Sequence, residues 1–123
     1  MDRRGYMSQN KPLILIVGVC ASGKTTLSTG LKGLGYNACS FAQEHSVTPF
    51  VWRRKEPDFL IYLTCEYSTI KKRKDINWGY AEYLRQIEWL RDAYDHADLV
   101  IQTDQFTPEE LVNHVDSLLK RST

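Results

Sequence analysis

Gly18-Val19-Cys20-Ala21-Ser22-Gly23-Lys24-Thr25 spells G-x-x-x-x-G-K-T, with two glycines, a lysine and a hydroxyl in an order suited to a chain of phosphates. Glycines let the backbone curl until several N–H groups converge on one anion. Lys24 supplies a point charge for the β- and γ-phosphates, and the Thr25 hydroxyl is the type of group that ligates Mg²⁺. A helix starting at this point adds the positive end of its dipole. Gly18, Cys20, Ala21, Ser22, Gly23, Lys24, Thr25 and Thr26 are therefore the expected phosphate-binding residues, with Thr25 at the metal.

Such a loop requires a buried strand before it and a helix after it. Leu13 to Val17 is an unbroken aliphatic run between Pro12 and Gly18, as expected of a parallel strand buried on both faces. Leu27, Leu31 and Leu34 follow at helical spacing, and Gly35 stands where a helix-ending glycine belongs. Residues 36–41 form a second, weaker strand. Thr48 and Pro49 suggest the start of a short helix that Pro57 stops. Residues 58–64 form a third strand, residues 66–74 a helix with a basic end, and residues 98–103 a fourth strand. Between these last two, one long helix is expected over residues 78–96, with Tyr80, Leu84, Ile87, Leu90 and Tyr94 as its apolar stripe. Thr107-Pro108-Glu109-Glu110 opens the final helix with a capping box, and Leu111, Val112, Val115, Leu118 and Leu119 make its inner face. The alternation predicts an α/β fold with a small parallel sheet of about four strands and helices on both faces. Residues 18–25, 43–45, 65–67 and 103–105 all follow strand ends, so they are expected to share one site.

Sixteen basic against fifteen acidic residues leave a net charge of +1, which argues against a dedicated nucleic-acid binder. No apolar run reaches membrane-spanning length, and no apolar segment follows Arg3 and Arg4 as a secretory signal would require. Residues 1–11 are expected to be a flexible lead-in, and residues 12–123 one domain. Cys20, Cys39 and Cys65 fit neither a zinc site nor a disulfide framework, which suggests a reduced, cytoplasmic chain. Cys20 is either a small residue that fits the loop or a redox-sensitive thiol at a helix N-terminus.

Three blocks resemble the small P-loop kinases of the adenylate, cytidylate, shikimate and gluconate kinase group: Gly18–Thr26, Asp58–Glu66 and Ala97–Val112, together about half of the chain. The resemblance implies a three-layer α/β/α P-loop NTPase fold, ATP and Mg²⁺ as cofactors, and phosphoryl transfer to a small molecule. It also puts the basic cluster Lys71-Lys72-Arg73-Lys74 where the family carries its lid arginines, with Arg85 and Arg91 as further candidates. Asp104, Gln105 and Phe106 fall in the loop that packs on adenine in that family. The chain departs from the group between residues 36 and 57, where no acceptor-binding segment fits and no strand ends in a Walker B aspartate.

If residues 36–41 pair directly with the first strand, Glu44 comes near Thr25 and the metal, which needs only one or two protein ligands. Otherwise Glu44 is a solvated loop residue. Arg73 is the candidate for stabilising the transferring phosphoryl group, or else one of several cations complementing a helix end. Lys24, Arg73 and Glu44 make up the expected catalytic set. His45 is a candidate acid/base neighbour, and Arg53 and Arg54 are either anion ligands or a wet helix face. A guanine-reading N/T-K-x-D motif is missing at Thr103-Asp104-Gln105-Phe106, which favours ATP over GTP. Three functions remain open: a small-molecule phosphotransferase, an ATP-binding module serving a protein partner, and a slow ATPase.

Overall fold

The computed structural model describes residues 11–122; residues 1–10 of the expected lead-in lie outside the described residues. Strand β1 (Leu13–Gly18) is the buried aliphatic run, and helix α1 (Lys24–Gly33) follows the glycine-rich loop. Gly35, at φ +98°, closes α1, with Gly35 N–H donating to Lys32 O and Tyr36 N–H to Leu31 O. Strand β2 (Asn37–Ser40) comes next, then two 3₁₀ turns, Gln43–His45 and Val51–Lys55. Strand β3 (Phe59–Thr64), helices α2 (Tyr67–Arg73), α3 (Tyr80–Trp89) and α4 (Arg91–His96), strand β4 (Leu99–Gln102) and helix α5 (Pro108–Ser122) complete the chain.

The four strands are all parallel, in the order β2-β1-β3-β4. Leu13 pairs with Asn37 and Ile16 with Ser40, so β2 lies directly beside β1, as the spacing of residues 36–41 suggested. Side chains alternate across β1 and sort the core into two halves. Ile14 and Ile16 meet Leu27 and Leu31 of α1 and Leu111, Val115 and Leu119 of α5. Leu15 and Val17 meet Trp52, Ile70 of α2, Leu90 and Ala93. Helices thus cover both faces, and the C-terminal strand ends carry the connecting loops.

Three expectations are corrected. The long helix over residues 78–96 is two helices. Leu90 (φ −95°, ψ 1°) donates its N–H to both Gln86 O and Ile87 O, a tight closing turn, and α4 begins at the next residue. The expected stripe holds only at Ile87 and Leu90: Tyr80, Leu84 and Tyr94 are exposed, and Tyr83, Gln86 and Ala93 complete the inner side. Gln86 is polar, so a count of apolar residues passes over it although it is fully buried. The helix expected from Thr48 is only the 3₁₀ turn Val51–Lys55. Thr48 Oγ1 accepts the Phe50 N–H (3.2 Å) in a local turn, and Glu56 in the left-handed region ends it before Pro57.

Candidate functional site

The glycine-rich loop joins β1 to α1 at the centre of the sheet. A Cβ on Gly18 would lie 2.1 Å from Leu63 O of the neighbouring strand, so only glycine lets the chain turn there. Gly23 (φ +110°) and Ala21 (φ +60°) are both left-handed. Holding a non-glycine residue there costs on the order of 1 kcal/mol and produces the alternating backbone of an anion nest. No side chain caps α1, so the N–H groups of its first turn have no partner from a capping residue.

A cavity of about 640 Å³ opens over this loop. Residues 20–26 line it, together with Glu44 and His45 after β2, Arg73 and Lys74 at the end of α2, Thr103 after β4, and Phe106, Thr107, Pro108 and Leu111 at the start of α5. Among the described residues Glu44 is its only carboxylate, against the cations of Lys24, Arg73 and Lys74. The balance favours an anion.

Lys24 Nζ donates to Gly18 O (2.9 Å), Val19 O (3.0 Å) and Glu44 Oε2 (2.7 Å). The pair is nearly dry, with the Lys24 side chain 11% and that of Glu44 3% exposed. Glu44 Oε1 is buried with no partner, as is Ser22 Oγ in the loop. Glu44 is therefore no solvated loop residue; the 3₁₀ turn Gln43–His45 aims it at Lys24. Gln43 fixes that turn, its Oε1 accepting the Trp52 N–H and its Nε2 donating to Thr48 O (both 2.7 Å). His45 is exposed at the rim, with Nε2 3.9 Å from Glu44 Oε2.

Arg73 closes the opposite side. Its Nη1 donates to Ala21 O (3.0 Å) and Thr103 Oγ1 (3.1 Å), and its Nη2 to Thr103 O (2.7 Å). Thr103 Oγ1 in turn donates to Ser22 O (2.7 Å), tying the end of β4 to the loop. Lys74 Nζ lies 3.7 Å from Cys20 Sγ. Thr25 and Thr26 are exposed on the cavity wall.

Gln86 and Glu82 are site neighbours that the sequence reading missed. Gln86 Oε1 accepts the Cys20 N–H (2.9 Å), while its Nε2 donates to Glu82 Oε2 (3.2 Å). Arg85 donates from Nη2 to Glu82 Oε2 (2.7 Å) and to Glu44 O (3.0 Å). The Arg85 hydrogen bond is the main reason the Glu82 carboxyl is held down to about 2. A signal was present: Glu82, Arg85 and Gln86 stand at i, i+3 and i+4 on one helix face.

Other expected residues lie elsewhere. Gln105 lines a separate polar hollow with Glu66, Lys72 and Asp104, so residues 65–67 and 103–105 do not all share the main site. Asp104 Oδ1 accepts from the Glu66 N–H and Thr69 Oγ1, which makes it a cap for α2. Arg53 is committed to Asp92 (2.6 Å) and Arg91 faces Glu88 (3.7 Å). Cys65 is buried, which pushes its thiol up to about 11. Among the described residues, no group of three or more His, Cys, Asp or Glu could hold a metal unaided, and no helix is long and apolar enough to cross a membrane. No protein-family model matches the chain, and no curated protein matches it.

Proposed function

We propose that the chain has a P-loop NTPase fold, binds Mg-ATP over Gly18–Thr25, and transfers the γ-phosphoryl group to a small-molecule acceptor. The Lys24–Glu44 pair carries the proposal. A partly buried lysine and a buried carboxylate meet at the mouth of an uncapped helix, and one carboxylate oxygen has no partner. A purely structural ion pair would be expected to satisfy both oxygens.

The residues present fit a magnesium nucleotide. Thr25 and Glu44 would hold the ion, with phosphate and water oxygens filling its remaining positions. When bound, the ion would neutralise charge on the phosphates and polarise them. Lys24 trades Glu44 for the phosphate oxygens, and the first-turn amides of α1 receive the remaining negative charge. Arg73 holds the loop through one hydrogen bond to Ala21 O and Thr103 through two more, and keeps the rest of its guanidinium N–H groups for the transferring group. Phe106 gives an aromatic wall for adenine.

A second reading is favoured by one observation. Between β2 and β3 the chain forms only two 3₁₀ turns, with nothing resembling an acceptor-binding subdomain. On that reading the chain binds ATP as a module for a partner protein, with at most slow hydrolysis. Measuring ADP formation with Mg-ATP, alone and against a panel of small hydroxyl, carboxyl and phosphate acceptors, separates the two. A phosphotransferase gives ADP and phosphorylated acceptor in equal amounts with one compound class. Turnover that no acceptor changes removes the transferase reading.

A further inference from the structure

We propose that Gln86 is a positioning residue for the phosphate loop, and that the Glu82–Arg85–Gln86 face of α3 brackets the two halves of the site. The inference rests on the phosphate-binding reading of the loop.

Two segments far apart in sequence must keep a fixed spacing for Lys24 and Glu44 to meet. One is the loop that carries Lys24, and the other is the 3₁₀ turn that carries Glu44. Both are held by neighbouring side chains of α3. Gln86 Oε1 takes the Cys20 N–H at 2.9 Å, and Arg85 Nη2 reaches Glu44 O at 3.0 Å. Glu82 joins the two, accepting from Gln86 Nε2 (3.2 Å) and from both Arg85 Nε (2.8 Å) and Arg85 Nη2 (2.7 Å). Gln86 is 0% exposed, so water cannot replace its amide.

The polarity of the contact matters. An amide oxygen accepts the Cys20 N–H without adding negative charge beside an anion site. A carboxylate there would repel the phosphates, and an apolar side chain would leave a buried N–H unpaired. Cys20 lies immediately before the left-handed Ala21, so its anchored N–H fixes where the loop begins to curl. Removing Gln86 frees the loop from α3, while Arg85 still holds the Glu44 side. The register between them is then lost and the fold is kept.

The test uses the full chain with inorganic tripolyphosphate as probe, by calorimetry, together with amide hydrogen exchange on the unliganded protein. Gln86→Met should weaken tripolyphosphate binding about tenfold or more, since a buried N–H is left unpaired. It should also speed Cys20 amide exchange while α5 amides keep their rates. Ile87→Ala, which thins the same helix's apolar contact, should lower stability without this loss of affinity. Gln86→Glu should also weaken binding, because it sets a carboxylate beside the anion site where the amide adds no charge. Equal affinity losses in Gln86→Met and Ile87→Ala would overturn the positioning role. So would a Cys20 amide whose exchange is unmoved by Gln86→Met. A wild-type chain that binds no polyphosphate would sink the Mg-ATP reading, and the exchange measurement would still decide whether α3 holds the loop.

Discussion

At the scale of single residues, Lys24 and Glu44 each satisfy a partner that nucleotide binding would remove. Lys24 keeps two carbonyl acceptors besides Glu44, whereas Glu44 Oε2 takes its hydrogen bond from Lys24, with His45 at 3.9 Å, and Oε1 has none. The asymmetry gives a prediction. Lys24→Met leaves a buried carboxylate alone and should cost about 3 kcal/mol in urea unfolding. Lys24→Met combined with Glu44→Gln should regain most of that stability, yet neither variant should bind Mg-ATP. Equal instability of the single and double variants would show that the two side chains are not coupled. Glu82 provides a second. Its folded carboxyl is held near 2 by Arg85, below its ordinary 4.5, so its contribution is complete above about pH 4.5 and is lost as pH falls toward 2. Wild type should therefore lose more stability between pH 6 and pH 3 than Glu82→Gln; parallel unfolding curves would contradict this. The residues of the Gly18–Thr25 loop were legible one by one because the motif is local in sequence. Glu44 was reached only by supposing a strand pairing, and Gln86 not at all, because its partner lies sixty-six residues away.

At the scale of elements, capping and close packing set what changes the helices tolerate. The expected box at α5 forms in both directions: Thr107 N–H donates to Glu110 Oε1 (2.9 Å), and Glu110 N–H donates to Thr107 Oγ1 (3.2 Å). Thr107→Ala should cost about 1 kcal/mol, read as a fall in Tm, and an unchanged Tm would mean the cap contributes nothing. Helices α1 and α5 touch where Gly30 faces Val112, and a Cβ there would lie 2.4 Å from Val112 Cγ2. Gly30→Ala should lower Tm through overpacking. Paired with Val112→Ala, it should recover, because alanine also raises helix propensity by roughly 1 kcal/mol. Strand and helix types followed from periodicity and punctuation. The break at Leu90 did not, since no glycine or proline marks it and the closing turn is a backbone choice among packed neighbours.

At the scale of the whole molecule, a small parallel sheet places four loop segments at one edge, and a ligand there bridges several elements at once. Stabilisation by mass action should then be large. Mg-ATP at a hundred times its Kd adds about 2.7 kcal/mol and should raise Tm by roughly 10 °C in a domain of this size. Mg-GTP should do less. Equal shifts with both would count against an adenine wall at Phe106, and no shift with either would remove the nucleotide reading.

By itself the sequence determined what is encoded locally: the strand–loop–helix around Gly18–Thr25, the alternation that makes the fold α/β, the glycine that ends α1 and the box that opens α5. Hydrogen-bond type, side-chain period and left-handed glycines all act within a few residues, so they can be read in order along the chain. Only the tertiary structure decided which distant groups meet. It turned Glu44 onto Lys24, set Arg73 and Thr103 against the loop, sent Gln105 to another hollow, and buried Gln86 under Cys20. Those choices depend on strand order and helix rotation, which arise when two faces of one sheet are packed at once.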